Sequence, residues 1–473
     1  MYKIVDQINP NIFRGYDLRG LMDKDLDENV YYTLGRAYGA FLAKRRIKES
    51  AVGRDNRHNG ELYVKAFIQG LNDSGIDTID LGLSLSQIVY YSSYEFKTKG
   101  GAMITASHNP KEFNGLKMSV GYSDTMVSEE IKELQNIAAS KQFVNGQGKN
   151  RQADITQAYT QQLLKLFSLE KKWKIVLDAC NAAGGNFYPE IFRAAGCEVI
   201  EQNCQLDADF PLGHPDPTEL SVLQRLAQGV LAAKADLGFA FDADGDRMSV
   251  VDENGQILWM DTIVSIFAKD VLDFLPGSKI IYNTLCSRQV QETIEQAGGE
   301  GVMWLTGHSF IKAKVKEERS PFGGELSGHI FFMDNFYGHD DAAYACLRLL
   351  SYLERKKIKL SQAVATLVKY ISSPEIKLGL PDEVKFQLID REISADFKEH
   401  WPQAKFTKID GIRMDMPEQM AIIRASQNGP YVTVKFEAKT EKQYQKLKAE
   451  LKAILKKYPA VNWGEGSNTK ALD

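Results

Sequence analysis

One pattern occurs three times in this chain. An apolar strand runs into a polar turn, an amphipathic helix, a glycine and a second apolar strand. The first copy runs from residues 51–55 through Leu62, Ala66, Phe67 and Leu71 to residues 75–79. The second runs from 174–178 through Phe187, Ile191 and Phe192 to 196–200. The third runs from 279–283 through Val290, Ile294 and Ala297 to 299–303. Each spans roughly twenty-five residues, the length of a compact βαβ unit. The chain is therefore expected to be α/β, with sheets that include parallel strands. Three similar domains and one large doubly wound sheet would leave the same local pattern.

From about Glu375 the pattern changes to strand-rich, with expected strands at 386–389, around Ile422 and at 431–436. A last helix is signalled by Thr440 and Gln443 as a capping box. Its apolar face is Tyr444, Leu447, Leu451, Leu455 and Tyr458. This reads as a separate α+β domain joined between Tyr370 and Pro374, with 468–473 as a loose tail. Charged residues make up 25% of the 473 and the formal net charge is -4, so no nucleic acid or anionic membrane partner is expected. No apolar run approaches a membrane span. Five scattered cysteines, Cys180, Cys197, Cys204, Cys286 and Cys346, argue against a disulfide framework or a structural zinc site. With no signal-peptide core, the cytoplasm is the expected location.

Several stretches carry residues suited to chemistry. In Thr105-Ala-Ser-His-Asn-Pro110 a hydroxyl sits where a short strand, 102–104, stops on a turn. Alone this is an ordinary turn. Asp242, Asp244 and Asp246 alternate after the apolar run 237–241. Three adjacent carboxylates repel unless a hard cation joins them. Calcium of the EF-hand kind is disfavoured, because Arg247 replaces the required glycine and the flanks read as strands, so Mg²⁺ leads. Glu325 and Ser327 lie in a glycine-flanked loop suited to a polyol, and His308 and His329 offer imidazoles for acid–base work. Arg424, Ser426, Gln427 and Asn428 stand on a turn suited to a phosphate. Arg14 and Arg19 add cations near the N-terminus.

Together these motifs resemble the α-D-phosphohexomutase superfamily, and most closely its phosphomannomutase/phosphoglucomutase branch. Five motifs occur in the family's order: 16–20, 105–110, 242–247, 324–328 and the Arg424 loop. The resemblance implies three similar α/β domains with mixed sheets, plus a C-terminal α+β domain, around a central cleft. The expected divisions are 1–150, 151–255, 256–369 and 370–473. It implies that Ser107 is the phosphoserine. Asp242, Asp244 and Asp246 would hold one Mg²⁺, with the Ser107 phosphate completing the set. Glu325 and Ser327 would bind sugar hydroxyls, and Arg288 would contact substrate. Arg424, Ser426, Gln427 and Asn428 would grip the non-reacting phosphate. Arg19, Lys117, Arg247, His308 and His329 would line the reaction site, with Lys117 and His329 as alternative bases. The implied reaction moves phosphate between the 1 and 6 positions of mannose or glucose, with a hexose 1,6-bisphosphate as intermediate and activator. A monomer or weak homodimer binding hexose phosphates is expected.

Two departures bear on substrate. Leu285 stands where the relatives commonly carry a lysine, and the phosphate loop reads Arg-Ala-Ser-Gln-Asn-Gly-Pro. These leave a catalytically weak sugar-phosphate-binding paralogue as one alternative. A phosphoglucosamine mutase is the other, disfavoured by Leu326 where those enzymes usually carry glutamine.

Overall fold

A computed structural model describes residues 2–427 and 429–472. All three repeats fold as βαβ units. Strand Glu49–Arg54, helix Gly60–Asn72 and strand Asp77–Leu83 form the first. Lys174–Asp178, Tyr188–Ala194 and Glu198–Gln202 form the second, and Lys279–Asn283, Arg288–Gln296 and Glu300–Trp304 the third. In each, the two strands pair in parallel. Ala66, Phe67 and Leu71 are buried as the helical spacing requires, whereas Leu62 is exposed. Leu62, four residues before Ala66 in the helix's first turn, falls at the edge of that stripe and turns to solvent, while Tyr63 beside it is buried.

The repeat extends further than its sequence signature. In each copy a third strand pairs in parallel with the other edge of the first one. These strands are Gly100–Ile104, Leu237–Phe241 and Phe322–Gly324. Each then turns back into an antiparallel partner: Phe113–Gly121, Met248–Asp252 or Ile330–Phe332. The three turns so formed carry Ser107, the three aspartates and Glu325. One hairpin position has thus been used three times. Such turns stand at strand ends, where side chains escape the buried sheet.

The chain divides into two compact units. The first holds the residues up to Pro217, Val222–Ile257 and Tyr337–Leu360; the second holds Leu258–Phe336 and everything from Ser361 on, with the short Thr218–Ser221. In the first unit one sheet orders its strands Leu18–Leu21, Phe113–Gly121, Gly100–Ile104, Glu49–Arg54, Asp77–Leu83 and Asn150–Gln152. Its other sheet is built on Met248–Asp252, Leu237–Phe241, Lys174–Asp178 and Glu198–Gln202. Helix Ala342–Lys356 packs with this unit.

The second unit holds the third α/β sheet and an antiparallel sheet. The latter orders Ile371–Ser372, Tyr431–Ala438, Gln419–Ala425, Ile412–Met416 and Lys405–Thr407, and Ile376–Gly379 also pairs with Tyr431–Ala438. Three α/β domains with mixed sheets plus a fourth α+β domain are therefore present. Two expectations fail in the fourth domain. Residues 386–389 are helical, spanning Asp382–Gln387 and then the wider turn Leu388–Ile393. Asp382 and Glu383 favour a helix start after Pro381, and Ile389, Ile393 and Phe397 recur at helical spacing into the core. The tail is not loose up to residue 472: Thr469–Leu472 forms a helical turn, and Leu472 is fully buried. Thr440 caps helix Glu441–Leu455, as expected. Among the described residues no helix is long and apolar enough to cross a membrane, and all five cysteines are free.

Candidate active site

Ser107 has φ +49, the left-handed region that a residue with a Cβ enters at a cost of about 1–2 kcal/mol. Such a conformation persists only where neighbours over-determine it. Here its N–H donates to Thr105 Oγ1 at 2.8 Å. Its carbonyl accepts from Arg57 Nη2 at 2.6 Å. The turn directs Oγ at Asp242, to which it donates at 2.7 Å (Oδ2).

Two cations reach this turn and the aspartates it meets for a reason of sheet geometry. Arg19 pairs with Gly115 across neighbouring antiparallel strands, and Lys117 lies two residues beyond, on the same face. Arg19 is nearly buried, paired with Asp17 at 2.7 Å, and donates to the Thr105 carbonyl at 3.1 Å. Burial works against its charge, but Asp17 and Asp244 outweigh it and raise its pKa. Lys117 Nζ donates to Asp244 at 2.6 Å and to Asp246 at 2.5 Å. Its burial is likewise overcome by Asp244 and Asp246, and it is held protonated.

The three aspartates occupy the hairpin turn closed by the Phe241–Met248 pair. Gly245 makes the turn possible. Its φ is +74, and a Cβ there would meet Tyr188 Oη at 2.6 Å. Tyr188 donates to the Gly245 carbonyl, Gln87 donates to Tyr188, and Ser86 holds Asp244 through its N–H and its hydroxyl. Asp242, Asp244 and Asp246 are fully buried, with one oxygen from each lying within 4.8 Å of the others. Burial, then Asp244 and Asp246, push the Asp242 carboxyl well above the carboxylate range. Burial would raise Asp244 too, but the Lys117 ammonium holds it below its ordinary value. Asp244 Oδ1 is buried and accepts no hydrogen bond among the described residues. An all-oxygen group of this density, with one buried oxygen still open, fits a hard divalent cation. Arg247 closes the group from Asp242's side, with N–H to Oδ1 at 3.2 Å and Nε 3.7 Å from Oδ2.

In the second unit, Glu325 is buried and accepts from the Gly307 N–H at 2.7 Å, with Ser327 Oγ 3.5 Å from its other oxygen. The rings of His308 and His329 stack at 5.1 Å, both nearly buried. Arg424 donates to Asp410 Oδ2 at 2.7 Å. The same oxygen accepts from the Thr306 N–H at 3.0 Å, one residue before the Gly307 that meets Glu325. The phosphate loop and the sugar loop are thus joined through Asp410. Lys385, nearly buried, donates to the Ser426 and Gly429 carbonyls at 2.6 and 2.8 Å and holds the phosphate loop from behind. Gln427 is half-buried on that loop, while Asn428 lies outside the described residues. Arg288 is placed differently: its guanidinium contacts Tyr370, Glu292 and Asp415.

Comparison with known proteins agrees with this geometry. The models of phosphoglucomutase/phosphomannomutase α/β/α domains I, II and III match residues 10–145, 157–255 and 259–370. The chain belongs to the phosphoglucomutase/phosphomannomutase family. It is 38% identical to the phosphomannomutase/phosphoglucomutase of Pseudomonas putida, over 93% of this chain and 94% of that protein. It is 35% identical to the phosphoglucomutase of Neisseria gonorrhoeae, over 96% of this chain and 99% of that one. A crystal structure of a phosphoglucomutase/phosphomannomutase family protein from Burkholderia thailandensis superposes with a TM-score of 0.87 at 32% identity, covering 96% of this chain and 99% of that one.

Within this family frame, Leu285 is fully buried, and Arg413 donates to the carbonyls on either side of it, Thr284 and Cys286, at 2.6 Å each. The leucine is a core residue on a pinned loop. Sequence reasoning passed over Asp55, Arg57, Ser86, Lys385 and Asp410. Asp55 and Arg57 follow the first repeat's opening strand, and their charge at a strand end was the available signal.

Proposed function

We propose that this phosphohexomutase moves phosphate reversibly between the 1 and 6 positions of mannose or glucose. Phosphorylated Ser107 gives its phosphoryl group to a hexose monophosphate. The Oγ–P bond breaks, a bond from phosphorus to the sugar hydroxyl oxygen forms, and the hydroxyl proton passes to a base. The resulting 1,6-bisphosphate turns round and returns its other phosphate to Ser107. The observation that carries this reading is the Ser107 hydroxyl, buried on a left-handed turn and directed at Asp242 of the three-carboxylate group.

Phosphoryl transfer depends on positioning and on charge stabilisation. Arg19, Lys117 and Arg247 supply fixed positive charge to the transferring oxygens. Asp242, Asp244 and Asp246 would hold Mg²⁺, which when bound neutralises charge on the phosphoryl group. Lys117, committed to two carboxylates, acts as a cation, and the His329 imidazole takes the hydroxyl proton. Glu325 and Ser327 bind sugar hydroxyls. Arg424, Ser426, Gln427 and Asn428 hold the distal phosphate, with Arg424 oriented by Asp410. Hexose 1,6-bisphosphate serves as activator by recharging Ser107.

Turnover of mannose 1-phosphate, glucose 1-phosphate and glucosamine 1-phosphate, with Mg²⁺ and bisphosphate, tests this. Conversion of the first two, with little of the third, is expected. Preference for glucosamine 1-phosphate, or no turnover of any, contradicts it.

A further inference from the structure

Near Ser107, Arg57 uses its whole guanidinium. It is wholly buried, and all five of its N–H donors are matched. Nη2 donates to the Ser107 and Asn109 carbonyls, both at 2.6 Å. Nη1 donates to the Pro110 and Phe113 carbonyls at 2.7 and 3.1 Å. Nε donates to Asp55 Oδ2 at 3.2 Å. That same Asp55 oxygen accepts from Thr105 Oγ1 at 2.6 Å. Thr105 Oγ1 in turn accepts the Ser107 N–H. The backbone of Ser107 is therefore held at both ends by one buried ion pair, at the N–H through Thr105 and Asp55, and at the carbonyl through Arg57.

We propose that the Asp55–Arg57 pair is a positioning device for phosphoryl transfer, holding the Ser107 turn in its left-handed conformation so that Oγ faces Asp242. The proposal rests on Ser107 being the phosphoacceptor. Neither residue touches the reacting atoms. Their effect passes through the loop: of the four carbonyls Arg57 holds, Pro110 also accepts the Phe113 N–H at 3.1 Å, but the guanidinium ties all four together and keeps the turn from relaxing to an ordinary conformation. An ammonium cannot replace the guanidinium, because lysine offers three donors and no planar fork.

The test follows phosphorylation of dephosphorylated protein by glucose 1,6-bisphosphate, read by intact mass over time. Steady-state kcat and KM for glucose 1-phosphate and a thermal melt accompany it. Arg57→Lys is expected to slow phosphorylation of Ser107 and lower kcat about 100-fold, with KM changed less than about threefold, the pattern of a misplaced reacting group. Thr105→Val is expected to slow both about tenfold, and Thr105→Ser, which keeps the hydroxyl, to restore most of the rate. Folded R57K that is phosphorylated at the wild-type rate overturns the proposal. So does T105V at the wild-type rate, whether or not R57K folds. Wild-type protein that takes up no phosphate, or an equal uptake by Ser107→Ala, overturns the Ser107 reading and the proposal with it. Normal wild-type uptake with an unimpaired variant overturns the brace alone.

Discussion

Ser107 Oγ donates to Asp242 Oδ2 at 2.7 Å across 135 residues of sequence. This one contact joins the hydroxyl proposed to carry phosphate to the carboxylates proposed to hold the metal. Replacing Asp242 with Asn keeps the shape and removes the carboxylate that a bound cation would ionise and pair with. Activity is expected to fall by at least about 100-fold. Chelation with EDTA should abolish wild-type turnover, and added Mg²⁺ should restore it. In D242N, titration calorimetry should show weakened Mg²⁺ binding. Full activity without any divalent cation would contradict the metal assignment.

Lys117 donates to both Asp244 and Asp246 from a buried position. Removing one partner of a buried ion group costs about 3–5 kcal/mol, because the charges left behind stay desolvated. Lys117→Ala should therefore melt well below wild type in metal-free buffer. A cation that binds the folded state restores stability by mass action. Mg²⁺ should raise the K117A melting temperature more than that of wild type; equal shifts would count against this account of the acidic group.

Asp410 gathers Arg424, Thr306 and Thr284 on one oxygen. Asp410→Asn removes a countercharge from buried Arg424 and should cost about 2 kcal/mol of stability. Its larger effect should be on KM for hexose phosphates, raised about tenfold, with kcat changed less than about threefold. A selective loss of kcat would argue that Arg424 does not grip the substrate.

Glu133 gives a pH signature away from the site. A hydrogen bond from Arg45, opposed by burial and reinforced by a hydrogen bond from Lys44 and the charges of both, lowers its carboxyl from 4.5 to about 2. These contacts tie helix Glu28–Lys44 and its following residue to helix Ser128–Ser140. A depressed carboxylate stabilises above its unfolded pKa, and that stability disappears as pH falls through the folded value. Glu133→Gln should cost below about 1 kcal/mol at pH 7, as for other solvent-screened pairs. The deficit should shrink between pH 4.5 and about 2 in paired thermal melts; a deficit unchanged across that window would contradict the assignment.

The loops around Ser107, the three aspartates and Glu325 were legible because each is local: a short apolar strand, a polar turn and a returning strand in one continuous stretch. Their shared hairpin position was not, since strand pairing is decided by neighbours outside the repeat. The braces were hidden for the same reason. Arg57 works 50 residues from Ser107, and Asp410 works 104 residues from Thr306. No spacing rule encodes such distances. Residues 386–389 misled because a short apolar run suits a strand or a buried helix equally. Leu285 stood out as a missing cation, but its burial and the Arg413 contacts mark a packing position that a lysine could not fill without desolvating its charge.

Intact-mass measurement of the purified protein, before and after incubation with glucose 1,6-bisphosphate, tests the central claim most directly. One added phosphate is expected on the wild-type chain, mapping to Ser107 and absent from Ser107→Ala. A wild-type chain that never gains a phosphate, or a phosphate that persists in S107A, would contradict it.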